Sequence, residues 1–171
     1  RFSIPAPMRA ARGPARTTVI LLGDLVDRGP DSAGVIRRAR DWQSRRTVRI
    51  LVGNHEEMFL LGFAKTDVLR SFLRYGGRET LLSYPIDAAA YAEADFAETQ
   101  RLMTACVPAE DREFLTGFED SITIGDYHFV HAGIRPGVAL EDQKRSDLRW
   151  IREPFLDSRE SHGAVIVHGH T

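Results

Sequence analysis

Four times along this chain an apolar run gives way to a glycine with a metal-ligating side chain beside it. The junctions are Leu21-Leu22-Gly23-Asp24, Leu51-Val52-Gly53-Asn54-His55, Val130-His131-Ala132-Gly133 and Val167-His168-Gly169-His170. The first two runs, Thr17–Leu22 ("TTVILL") and Thr47–Val52 ("TVRILV"), are β-branched, apolar and short, so they read as buried strands. Between them Asp31–Ser44 reads as a helix. Asp31 or Ser32 caps it, and Val35, Ile36, Ala39 and Trp42 share a face. Strand, helix and strand in that order form a βαβ unit and imply a parallel sheet. Ligands bind such sheets at the carboxyl ends of the strands, where all four junctions fall.

The rest of the chain fits one α/β domain over 17–171. "NHEEMFLLGF" opens a helix, and from about Ala64 to Phe118 the pattern stays helical, broken at "YGG" (75–77) and "SYP" (83–85). This stretch, 64–118, is expected to lie as an insertion over one end of the sheet. "SITIGDYHFV" predicts a hairpin of Ser121–Ile124 and Tyr127–Val130 turning on Gly125-Asp126. "DLRWIREPFL" is irregular or a short helix, and "AVIVHGHT" is a last buried strand. The start, "RFSIPAPMRAARGPAR", has four arginines, three prolines and no acid, and is expected to be a flexible basic arm over 1–16. The chain begins without Met and stops directly after Gly-His-Thr, so both ends look like those of a fragment.

Composition excludes several classes. With 23 basic and 24 acidic residues the net charge is −1, which argues against a nucleic-acid binder. No apolar run approaches the roughly 20 residues of a membrane helix. The single cysteine, Cys106, has no partner for an internal disulfide, and a cytoplasmic location fits that usage.

Brought to one sheet edge, the four junctions supply Asp, Asn, His and His. That oxygen and nitrogen set suits Mn²⁺, Fe or Zn²⁺, with no cysteine competing. A lone "GNH" or "HAG" is an ordinary loop; four such loops, each after an apolar run, are hard to explain as packing.

"GDLVDRG", "GNHE", "HAG" and "GHT", in this order and spacing, resemble the signatures of the phosphoprotein phosphatase family of metallophosphoesterases. "DRGPDS" and "WIREPFL" resemble its bacterial and phage-type serine/threonine protein phosphatases, and the resemblance runs from Val19 to the last residue. It implies β-sheet layers flanked by helices and a site built on two divalent ions. Asp24 would bridge both ions, and Asn54, His131 and His170 would complete one of the two coordination sets. Asp27 would orient His55, a general acid on the leaving oxygen, while Arg28 and Arg152 would clamp the phosphate. The family's first motif, Gly-Asp-x-His-Gly, has no counterpart here, since no Asp or His precedes Asp24. The chain is therefore expected to hold one ion of the usual two.

Plainer readings exist for single residues. Asp27 and Arg28 could pair across the turn, Arg152 could pair with Glu153 or Asp157, and Glu56 could cap its helix or pair locally. His168, two residues from His170, could share its face, but the Gly-His-Thr pattern selects His170. His128 is out of phase with His131 and is expected to face away from the site; His162 falls in a solvated loop and Asp126 in a turn. The expected function is hydrolysis of phosphorylated proteins or small phosphoesters. The alternatives are hydrolysis of dinucleoside polyphosphates and a truncated, inactive phosphatase fold. Dinucleoside polyphosphate hydrolases usually carry Ala at the position of Asp27, which favours the phosphatase.

Overall fold

The computed structural model describes residues 17–171. The basic start read above as an arm over 1–16 lies outside the described residues. Strand β1 (Val19–Leu21) pairs in parallel with β2 (Val48–Ile50), Val19 opposite Val48 and Leu21 opposite Ile50. The crossover helix α1 (Ser32–Arg45) is capped by Asp31, whose carboxylate accepts the Gly34 N–H at 2.8 Å. Its buried stripe is Ser32, Ala33, Ile36 and Ala39. Val35, expected inside, is 41% exposed, because the helix turns its small residues toward the chain that follows: Ala33 N–H bonds Ser83 Oγ at 3.0 Å.

Both strands end earlier than the apolar runs suggest. Leu51 N–H still donates to the Leu21 carbonyl, but Leu51 also bridges Glu119; Val52 N–H donates to the Glu119 carbonyl and Glu119 N–H to the Ile50 carbonyl, each of the three bonds at 2.9 Å. This crossing brings the start of the second sheet beside the end of β2.

Helices α2 (Asn54–Gly62), α3 (Thr66–Phe72), α4 (Arg78–Leu82), α5 (Ala88–Glu93), α6 (Phe96–Cys106) and α7 (Ala109–Thr116) follow. "YGG" breaks the helical run as expected: Gly76, at φ 110°, is non-helical and kinks the chain between α3 and α4. "SYP" breaks it again. These helices close over Phe59, Leu69, Phe72, Leu81, Met103 and Leu115, all buried. Each such side chain contributes about 1.5–3 kcal/mol of burial free energy. Within that core Tyr84 Oη donates to Asp111 at 3.1 Å and Arg40 bonds the other carboxylate oxygen at 3.0 Å, tying α1 to α7. Cys106 is half-buried, and burial pushes its thiol up.

The hairpin is found as read: β3 (Ser121–Ile124) pairs antiparallel with β4 (Tyr127–Val130), and β4 pairs in parallel with β5 (Val165–Val167). The last strand is not the buried one that its composition suggests. Val165 is 54% exposed, since β5 has no further neighbour among the described residues. A smaller core of Val130, Ala132, Ile134, Leu148, Ile151 and Phe155 seats the helix α8 (Arg145–Trp150). His128 is buried and bonded to Thr123 Oγ1 at 2.8 Å, away from the loops of interest.

Candidate metal centre and catalytic pocket

The two strand-end glycines are in contact. Gly23 has φ +93°, and a Cβ placed there would lie 2.7 Å from both Gly53 N and His131 Nδ1. A Cβ on Gly53 would lie 2.7 Å from Asp24 N. Only glycine at both positions lets three loops meet this closely.

What meets there is a set of donor atoms. Asp24, His131 and His170 each offer one atom, all within 4.8 Å of one another. His131 Nε2 lies 3.3 Å from Asp24 Oδ1, 3.0 Å from Asn54 Oδ1 and 3.1 Å from His170 Nδ1. Asn54 Oδ1 is 2.9 Å from His170 Nδ1. Two imidazole nitrogens, an amide oxygen and a carboxylate converging on one point match the donor set of a divalent ion. The orientation of His131 supports the fit. Its Nδ1–H donates to the Leu22 carbonyl at 2.6 Å, which leaves the Nε2 lone pair facing the cluster. Burial holds His131 and His170 below the ordinary histidine range, so both stand neutral, as ligation requires. Among the described residues this is the one group of three or more such side chains placed to hold an ion.

The first turn of α2 distributes four consecutive side chains around the helix, since each residue turns by about 100°. Asn54 reaches the donor cluster. His55 reaches Asp27, its Nδ1 lying 2.5 Å from Oδ2. Glu56 is fully buried and accepts backbone N–H bonds from Gly53 (2.8 Å), Asp24 (2.9 Å), Leu25 (2.6 Å) and Val26 (3.3 Å). Glu57 points outward to Trp150 and Arg149.

Asp27 faces inward and makes no pair with Arg28. Its Oδ1 accepts from Thr80 Oγ1 at 2.7 Å and its N–H donates to the same hydroxyl at 2.8 Å. The Asp27 carboxylate, through its hydrogen bond, holds His55 above the ordinary histidine range, which favours the imidazolium. Burial pushes Asp27 up, and its hydrogen bonds from His55 and Thr80 oppose that. Burial likewise pushes Glu56 up, against the backbone N–H groups that it accepts. Arg28 turns to the open side, where NH2 lies 3.3 Å from His55 Nε2, and its N–H donates to the Gly76 carbonyl at 3.1 Å.

Backbone strain is concentrated here. Among the described residues, the non-glycine residues at positive φ are Asp24 (55°), Asp27 (74°), Arg28 (61°) and His170 (68°). Each costs on the order of 1–3 kcal/mol, which surrounding structure must offset.

Above this floor opens a cavity of about 520 Å³, lined by Asp24, Arg28, Asn54, His55, Tyr75, Trp150, Arg152, His170 and Thr171. Arg152 is exposed and makes no ion pair with Glu153 or Asp157. All eight residues singled out by sequence meet in one place: Asp24, Asn54, His131 and His170 as donors, Asp27 and His55 as a bonded pair, Arg28 and Arg152 on the wall. His168 packs its ring on Phe155 and stays out of the cluster, and His162 is half-buried near the same ring. Sequence reasoning undervalued Glu56 and missed Thr80, Tyr75 and Trp150. A glutamate three residues into a helix that starts at glycine was a signal for Glu56. The other three carry no local mark.

The sequence profile of the calcineurin-like phosphoesterases, a metallophosphoesterase family, matches residues 5–171. The chain belongs to this family. Serine/threonine-protein phosphatase 1 of Salmonella typhimurium is 38% identical over 150 residues, 85% of this chain and 60% of that protein. A symmetrical bis(5'-nucleosyl)-tetraphosphatase of Paracidovorax citrulli is 44% identical over 79 residues, 42% of this chain and 27% of that protein. The chain thus spans between about a quarter and three fifths of these relatives. Among solved structures, that of a protein proposed to be a diadenosine tetraphosphatase superposes with a TM-score of 0.57 at 19% identity, over 90% of this chain and 61% of that one. The phosphoesterase fold of sheets flanked by helices is therefore shared. No helix among the described residues is long and apolar enough to cross a membrane.

Proposed function

We propose that this calcineurin-like phosphoesterase hydrolyses phosphomonoesters, with phosphoserine and phosphothreonine proteins as substrates. The observation that carries the reading is the Asp27–His55 pair, bonded at 2.5 Å beside the donor cluster. Asp24, Asn54, His131 and His170 would hold a divalent ion, and among the described residues theirs is the one donor cluster placed to do so. Such an ion supplies Lewis-acid polarisation and a water acidic enough to attack phosphorus. The chain's own residues do the rest. Arg28 and Arg152 bind and orient the phosphate oxygens by charge-assisted bonds. Asp27 takes the Nδ1–H bond of His55, so Nε2 keeps the proton that leaves with the departing alkoxide. Thr80 and Ser32 hold Asp27 from behind, through hydrogen bonds at 2.7 and 3.2 Å.

The second reading, hydrolysis of dinucleoside polyphosphates, draws on the tetraphosphatase relatives. Purified chain supplied with Mn²⁺ and assayed on p-nitrophenyl phosphate, a phosphoserine peptide and diadenosine tetraphosphate separates the two. Turnover of the first two substrates is expected. Turnover confined to diadenosine tetraphosphate overturns the proposal, and bound metal without any turnover marks an inactive fold.

A further inference from the structure

We propose that Glu57 is a positioning residue that fixes Trp150 and Arg152 as the substrate-gripping wall of the pocket. The inference rests on the phosphatase reading for what is gripped, and on geometry alone for what is held. Glu57 ends the first turn of α2, one residue beyond the buried Glu56, with its carboxylate directed away from the donor cluster. Oε2 accepts the Trp150 indole N–H at 2.5 Å, and Oε1 accepts from Arg149 NH1 at 2.7 Å. Arg149 in turn sends Nε and NH2 to Asp120 Oδ1, at 2.9 and 2.6 Å, and Asp120 Oδ2 lies 3.0 Å from Arg145 Nε.

The ionic part of this network is more shielded than a surface pair, while its Trp150 end is open, that residue being 41% exposed. The side chains of Glu57, Arg149 and Asp120 are 23%, 16% and 28% exposed, and exposed pairs are weak because water and salt screen them. It also spans the fold. Glu57 and Trp150 are 93 residues apart, on α2 and at the last position of α8. An indole has one N–H and no acceptor, and Glu57 is the partner that this N–H finds.

The consequence follows from what stands next to Trp150. Ile151 is buried in the smaller core and its N–H bonds the Asp147 carbonyl at 3.1 Å. Arg152 comes next, exposed and without an ion pair among the described residues. The wall formed by Trp150 and Arg152 is thus pinned at Ile151 and at Glu57. Asn54 and His55 stand on the same helical turn as Glu57, so one rigid turn sets both the chemical floor and the reach of the opposite wall. Glu57 touches none of the groups that would react, so its loss should weaken grip and spare the chemical step.

The test uses the whole 171-residue chain with Mn²⁺, in a Trp42→Phe background that leaves Trp150 as the reporter. In Glu57→Gln, acrylamide quenching of Trp150 should rise without any substrate present. KM for p-nitrophenyl phosphate and the Kd of inorganic phosphate, followed by Trp150 emission, should rise by about ten-fold. The kcat should stay within about two-fold and bound Mn²⁺ should not change. Unaltered quenching overturns the positioning role, and loosened Trp150 with unchanged KM and Kd overturns the grip. If the parent chain turns over no phosphoester, the phosphatase reading fails by itself, and the phosphate Kd still decides the inference. Trp150→Phe removes the N–H and keeps an aromatic ring, so it serves if Glu57→Gln does not fold. It should raise KM in the same direction, and combined with Glu57→Gln it should add little, whereas additive effects overturn the link.

Discussion

The floor and the rim of the pocket are built on opposite terms. On the floor, Asp24, Asn54, Asp27, His55, Glu56 and His131 are held from several directions at once, and all but Asp24 are buried. Glu56 alone gathers four backbone N–H groups of two loops. On the rim, Arg28, Tyr75, Trp150 and Arg152 are exposed, and Arg152 has no partner of opposite charge among the described residues. Groups that must be neutral, protonated or aimed at a fixed point are immobilised before substrate arrives. On the rim each side chain has at most one such tie, as Trp150 has to Glu57, and the end of Arg152 stays open to close on an anion.

Five changes test that division, the largest effect first. Asp24→Asn removes the charged donor from the cluster and should abolish tight metal binding and turnover together. Asparagine tolerates positive φ, so the fold should survive. Elemental analysis and circular dichroism check both halves, and a metal-loaded, active Asp24→Asn protein would erase the floor as drawn. His55→Asn should lower kcat by about 10²–10⁴-fold while metal content stays constant. Its companion, Asp27→Asn, reads the same pair through pH. The carboxylate raises the His55 pKa, so the acid form persists above the ordinary value of about 6.5 and is lost only as pH climbs through the raised value. Without the carboxylate the alkaline limb of the pH–rate profile should move to lower pH; an unmoved limb assigns it to another group.

Glu56→Gln replaces an acceptor oxygen by a donor in front of N–H groups with no other partner. An unpaired buried donor costs about 1–3 kcal/mol, so thermal unfolding should shift down by that equivalent. A variant as stable as the parent would show that the four bonds are not a brace. The smallest effect belongs to the rim. Arg152→Ala should raise KM roughly ten-fold through a lost charged hydrogen bond, with unfolding temperature and metal content unchanged. A fall in stability there would blur the distinction between rim and floor.

Much of the floor was legible because its residues sit at strand ends, where a change from apolar to glycine and then to Asp or Asn is visible locally. Asp31 as a cap and the turn at Gly125-Asp126 were legible for the same reason: the cue and the structure lie within a few residues. The rim was less so. Tyr75 and Trp150 look like any aromatic in a helix, and only tertiary folding sets Tyr75 beside Arg28 and Trp150 against Glu57. Thr80 lies in the 64–118 stretch, which carries no histidine and was read as an insertion over one end of the sheet, yet its hydroxyl supports Asp27. Val35 and Val165 went astray because an apolar residue does not announce which neighbours will cover it. The bridge of Leu51 to Glu119 belongs to the same class, being decided by a partner 68 residues away.

The left-handed backbone at Asp24, Asp27, Arg28 and His170 also bears on how such a site changes over generations. Each position is screened twice, once by chemistry and once by main-chain shape. β-branched and bulky replacements are refused by the second screen whatever their function, while glycine, asparagine and aspartate pass it. A saturation library at these four codons, sorted first for folding and only then for activity, should reveal a narrow permitted alphabet at the first sort. Drift toward new specificity would then run through Tyr75, Trp150 and Arg152, which have ordinary backbones and a far wider vocabulary.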